Sequence, residues 1–101
     1  MTLTDPPSGA VKEPLTRVLI GMHDYATGLD MASFSVTADF ALAGVKPGEN
    51  LAEKFQALPG NRWELRLKEP IAALEMGRLT VSVKDRQGNT TRIERTFTVV
   101  P

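Results

Sequence analysis

Residues 33–40 read Ser33-Phe34-Ser35-Val36-Thr37-Ala38-Asp39-Phe40, an unbroken alternation of polar and apolar side chains. Successive side chains of an extended strand point to opposite faces, so Phe34, Val36, Ala38 and Phe40 share one face of a half-buried β-strand. Ser33 and Ser35 then mark its solvent side. Asn61–Lys68 follows the same rule, with Trp63, Leu65 and Leu67 on one face and Arg62, Glu64, Arg66 and Lys68 on the other, as in an antiparallel sheet with one wet side. Arg17–Met22 aligns Val18, Ile20 and Met22, and a further segment aligns Leu79, Val81 and Val83. In Thr90–Val100, Ile93, Phe97 and Val99 share a face, but Arg95 falls on the same parity. A bulge or a sheet edge near Arg95 would account for it, since one extra residue switches faces.

Turn residues separate these segments at 24–30 around Gly28, at 44–48 with Pro47, at 58–61 and at 85–89. Weaker strands are expected near Ala10–Lys12 and Ala41–Val45. Leu51, Phe55 and Leu58 stand at helical spacing behind Asn50, a capping residue, so that stretch reads as a two-turn helix or as a loop pinned by Phe55. Pro70–Met76 reads as a helical turn opened by proline, or as a plain connection burying Ile71 and Leu74. No stretch is long enough for the crossover helices of a parallel sheet. The pattern predicts an all-β sandwich of about seven antiparallel strands.

The chain has 101 residues, 42% apolar and 24% charged, with 12 basic and 12 acidic side chains. That length supports one hydrophobic core and leaves no room for two domains. Residues 15–101 read as the single domain. Residues 1–14, with Pro6, Pro7, Gly9 and Pro14, read as a linker or a first edge strand. A balanced charge offers no surplus for nucleic acid or an acidic membrane. The opening residues carry no basic segment and no apolar run of signal-peptide length, so no export signal is expected in them. The longest apolar run, Val18–Met22, is far shorter than the ~20 residues that span a bilayer. Without cysteine the chain forms no disulfide and offers no thiolate.

Two motifs carry a family likeness. Asp24-Tyr-Ala-Thr-Gly-Leu-Asp-Met-Ala-Ser-Phe-Ser-Val36 and Gly77-Arg-Leu-Thr-Val-Ser-Val-Lys-Asp-Arg-Gln-Gly-Asn89, the latter followed by Arg95-Thr-Phe97, resemble bacterial immunoglobulin-like modules. In those modules a D-x-x-S/T-G-[IL]-D-x-x-S loop precedes one strand and a V-x-D-x-x-G-N turn separates the last two. The likeness spans about residues 16–100, with Trp63 between the motifs. It implies an immunoglobulin-like antiparallel β-sandwich, a non-catalytic structural or interaction unit of a larger exported bacterial protein. It also implies an extracellular or periplasmic setting, with flanking domains or a protein or glycan ligand as partners. The cysteine pair of vertebrate relatives is missing here.

The residues themselves nominate few sites. Asp85 suits a tight turn in which its carboxylate takes nearby backbone N–H groups and Gly88 supplies positive φ. A competing reading makes Asp85 a calcium ligand with Asp24 or Asp30, because Ca²⁺ takes several hard oxygens. The ligand spacing of an EF-hand is absent, and Asp30 is expected to cap a turn at Met31-Ala-Ser. His23 beside Asp24 resembles an acid–base pair only on paper, because neighbours in a strand point apart and no nucleophile stands nearby. No catalytic residue and no resident cofactor is therefore expected. Tyr25, Arg86 and Asn89 are the end-loop binding candidates, since sandwich loops cluster at the ends. Trp63 shares a face with Leu65 and Leu67 and is assigned to the core. Arg62, Glu64, Arg66 and Lys68, with Arg92, Glu94 and Arg95, read as a mixed-charge solvated surface. A monomer is expected.

Overall fold

The computed structural model describes residues 2–21, 29–42 and 44–100, excepting the side chains of residues 2 and 29–31. Along the chain run β1 (Thr2–Asp5), β2 (Gly9–Val11), β3 (Leu15–Gly21), β4 (Leu29–Ala38), β5 (Gln56–Leu58), β6 (Arg62–Ile71), β7 (Leu74–Asp85) and β8 (Thr90–Val99). They form two four-stranded sheets, ordered β1-β3-β6-β5 and β2-β8-β7-β4, so the chain folds as an immunoglobulin-like β-sandwich. Among the described residues eight strands replace the expected seven or so. One pair departs from antiparallel order, β2 running parallel to β8.

Alternation sets the core as the sequence dictates. Phe34, Val36 and Ala38 from β4 meet Leu79, Val81 and Val83 from β7, and Val18, Ile20 and Leu65 from the opposite sheet, all buried. Phe34 lies edge-on to Phe55 with ring centres 5.7 Å apart and tilts against Trp63 at 6.1 Å. Phe40 meets Phe97 edge-on at 5.8 Å. Such pairs add about 0.5–1.5 kcal/mol beyond the area they bury.

Several local expectations change. The helix behind Asn50 shrinks to a single 3-10 turn, Ala52–Lys54, between buried Leu51 and Phe55, and the chain then extends into β5. The phenylalanine-pinned alternative is the closer description, because burying Leu51 and Phe55 outweighs two turns of isolated helix. Pro70–Met76 is no helical turn. Pro70 and Ile71 end β6, Ala72 and Ala73 link, and half-buried Leu74 opens β7. Of the two weak strands, the first exists as β2, while the described residues of 41–45 form a Leu42–Val45 bridge. The turn expected at Met31-Ala-Ser behind Asp30 is strand instead, the backbone of Asp30 lying in β4 opposite Lys84.

Arg95 needs no bulge. The β7–β8 register runs unbroken from Gly77–Phe97 to Lys84–Thr90, and Arg95 keeps its inward parity opposite Leu79. β2 covers β8 only over Phe97–Val99, so Arg95 sits just where that edge opens. Its guanidinium donates to the carbonyls of Leu3 and Pro6, each at 3.2 Å, and so ties β8 to the opposite sheet through β1. The charged residues of β6 and β8 do not form one surface. Arg62–Lys68 belongs to one sheet, and Arg92 and Glu94 to the other.

Candidate functional site

The turn after β7 is built by its own aspartate. Asp85 Oδ1 accepts the backbone N–H groups of Gln87 and Asn89, both at 2.9 Å, and Oδ2 accepts the Asn89 side-chain amide at 3.1 Å. The Gly88 N–H donates to the Asp85 carbonyl at 3.1 Å, with Gly88 at φ 91°, where a side chain would be strained. Donation from Asn89, first through its backbone and then its amide, holds the Asp85 carboxyl below its ordinary value. Both oxygens are thus engaged inside the turn, and a cation there would compete with Asn89. Arg86 and Asn89 are exposed at its tip.

Strand register locates the other loop candidates. Gly21 pairs with Thr2 and Arg62, and Leu29 pairs with Asp85. Gly21, before residues 22–28, thus lies beside the strand that follows the 59–61 turn, and Leu29, after them, lies beside the strand that leads into the 86–89 turn. His23, Asp24 and Tyr25 lie outside the described residues, and of Asp30 only the backbone is described. Among the described residues no three His, Cys, Asp or Glu side chains gather to hold a metal ion. Trp63 is half-buried against the core beside Phe34, where the alternation put it.

The outer face of the first sheet holds a cluster that alternation alone does not reveal. Glu64 has solvent parity on β6, yet it is only 5% exposed. Arg66 Nε lies 2.6 Å from its Oε1 and Arg17 Nη1 3.1 Å from its Oε2, while Arg17 Nε also reaches Asp5 at 3.0 Å. The Arg66 hydrogen bond, followed by that from Arg17, holds the Glu64 carboxyl below its ordinary value against the opposing effect of burial. Arg17 and Glu64 are 47 residues apart, and only the β3–β6 register brings them together.

Beside this cluster runs a groove of about 750 Å³. Its floor is β6 from Leu65 to Ile71, and its facing wall is Ala41, Gly44 and Lys54. β5 pairs with β6 only over Arg62–Glu64, so among the described residues no strand continues along β6 on that side. Where the next paired residue would lie, the chain turns away through Ala52–Lys54. No residue-level motif marks this groove, because it is created by a strand that stops.

No family profile and no curated relative matches the chain. Among solved structures it is similar to CopC from Methylosinus trichosporium OB3b, with a TM-score of 0.62 and 13% identity, covering 100% of this chain and 91% of that one. At that identity the likeness is one of fold.

Proposed function

We infer that the chain is a non-catalytic, immunoglobulin-like structural or interaction module of a larger exported bacterial protein, working outside the cytoplasm beside flanking domains. The observation that carries this reading is where the described carboxylates with lowered titration sit: Asp85 closes its own turn, and Glu64 cross-ties β3 to β6. Perturbed groups in enzymes gather in a cleft around a reacting atom. Here they support backbone and sheet. No described helix is long and apolar enough to cross a membrane.

A second reading has its own support. The pairing of Leu29 with Asp85 sets the residue that follows the 22–28 segment beside the Arg86–Asn89 turn, and end loops are where sandwiches bind glycan or protein. Melting of the intact protein separates the alternatives. A spacer melts at the same temperature in calcium and in chelator, whereas a calcium-rigidified spacer rises in calcium by mass action. Glycan-array or pull-down binding that disappears in Arg86→Ala would replace the spacer with an end-loop binder. Turnover abolished by His23→Ala would overturn the non-catalytic reading altogether.

A further inference from the structure

The geometry points to the open side of β6 as a docking edge for an extended, acidic segment of a partner protein, added as a strand that continues the line of β5. This rests on the interaction-module reading and gives it a surface and a partner chemistry.

β6 is ten residues long, and β5 covers only its first three, Arg62–Glu64. From Leu65 to Ile71 the strand borders the groove described above, which lies in the path β5 would follow if it were longer; on its other side β3 pairs with Arg66 and Ile71, and residues 67–70 bulge between those two pairs. Strand addition uses main-chain hydrogen bonds for affinity and alternate side chains for selection. Both selecting faces are defined here. Leu67, half-buried against the core, favours an apolar residue opposite it. Lys68 and Lys54 stand exposed along the groove, while Arg66 already holds the Glu64 carboxylate. Cross-strand neighbours of opposite charge are favourable and like charges are not, so the residue opposite Lys68 is acidic. Glu69 is the one acidic residue lining the groove, and Pro70 offers no N–H, so pairing ends before Pro70.

Charge disfavours the register of a second copy that is centred on Leu67. Two β6 edges paired antiparallel about a twofold axis at Leu67 would set Arg66 opposite Lys68, twice over. A segment alternating acidic and apolar residues meets no such conflict.

The test uses the full chain and a synthetic peptide alternating Glu and Val over about eight residues, long enough for one strand. Its Lys/Val counterpart is the control. In residue-resolved hydrogen exchange, saturating Glu/Val peptide should slow amides between Leu65 and Glu69 by about tenfold or more. Charge reversal by Lys54→Glu with Lys68→Glu should weaken that peptide by at least about tenfold and transfer preference to the Lys/Val peptide, with the Glu/Val affinity of the unaltered chain falling as salt rises. Unchanged exchange in β7 and β8 certifies that the variant is folded. Unaltered β6 amides, equal binding of both peptides, protection at Thr90–Glu94 in place of β6, or pairing of β6 between two copies would each overturn the assignment. None of these results bears on the non-catalytic reading, which stands or falls on turnover and melting.

Discussion

The two sheets leave their edges in opposite conditions. β4 is the outermost strand of its sheet, yet the outer side of its last residues, Val36–Ala38, is closed: Leu51 N–H donates to the Val36 carbonyl at 2.7 Å and Gly48 N–H to the Ala38 carbonyl at 2.9 Å. Asn50 completes the closure, its Oδ1 accepting the N–H of Val36 at 3.1 Å and of Ala52 at 2.9 Å. β6 is an interior strand, yet its second half stands open beside a groove because β5 is only three residues long. Exposed strand edges invite pairing, and proteins manage them either by covering them or by placing charge and proline along them. A folded-back loop with one asparagine covers the Val36–Ala38 end of β4. Lys68, Glu69 and Pro70 guard β6 while leaving its main chain reachable. An edge that is guarded but uncovered selects its partner, whereas a covered edge refuses all.

The largest expected effect lies where the two regions share a core. Phe34 of β4 touches both Phe55, at the entrance to β5, and Trp63 of β6. Phe34→Ala removes all of these ring contacts and should lower stability by about 3–5 kcal/mol, measured by denaturant unfolding. A loss under about 1 kcal/mol would mean that the two edges are stabilised separately. The contrast between them would then be local.

A smaller effect isolates the covered edge. Asn50→Ala strips the acceptor from the Val36 and Ala52 N–H groups and should destabilise by about 1–3 kcal/mol, the usual consequence of leaving a buried donor unsatisfied. Hydrogen exchange at Val36 should quicken while that of β6 stays as it was. Asn50→Asp keeps the acceptor oxygen and should recover most of the loss. If Asn50→Ala leaves Val36 exchange unaltered, the backbone bond from Leu51 closes β4 unaided and the asparagine is incidental.

What the sequence made legible follows from the range of each interaction. The alternation at Ser33–Phe40 and Arg62–Lys68 is a property of one strand, so the inward placement of Phe34, Val36, Trp63 and Leu65 could be read without knowing any neighbour. The Asp85–Asn89 turn is equally local, its donors lying within four residues of the carboxylate. Glu64 gave no such signal. Its alternation assigns it to water, and only the pairing of β3 with β6 sets Arg17 beside it. Arg95 was legible as an anomaly but not as an inter-sheet tie, because the Leu3 and Pro6 carbonyls lie about ninety residues away in sequence. The groove was invisible for the same reason. Where β5 would end was not written in any residue but in the competition between Phe55 burial, the 3-10 turn and the loop that covers β4.

Glu64 offers the finest probe of the open side, since its carboxylate holds Arg66, a residue that lines the groove. Its carboxyl lies below the ordinary value chiefly through Arg66 and then Arg17, so the charged form is favoured more in the folded chain than in the unfolded one. A depressed folded pKa contributes stability that is complete above the ordinary carboxylate range, near pH ~4.3, and is lost as pH falls through the folded value. Unfolding free energy should therefore hold level from neutral pH down to about 5 and decline in more acid solution. Glu64→Gln removes this carboxylate's share and should flatten part of the decline while leaving the part that Asp85 contributes through its turn. The β6 amides give the sharper reading. If the Glu64–Arg66 bond holds the guarded edge in register, acid should quicken exchange at Arg66 and Leu67 before it touches β7 or β8, and Glu64→Gln should show that faster exchange already at neutral pH. Simultaneous loss across both sheets would instead make the carboxylate a contributor to global stability, with no special hold on the open strand.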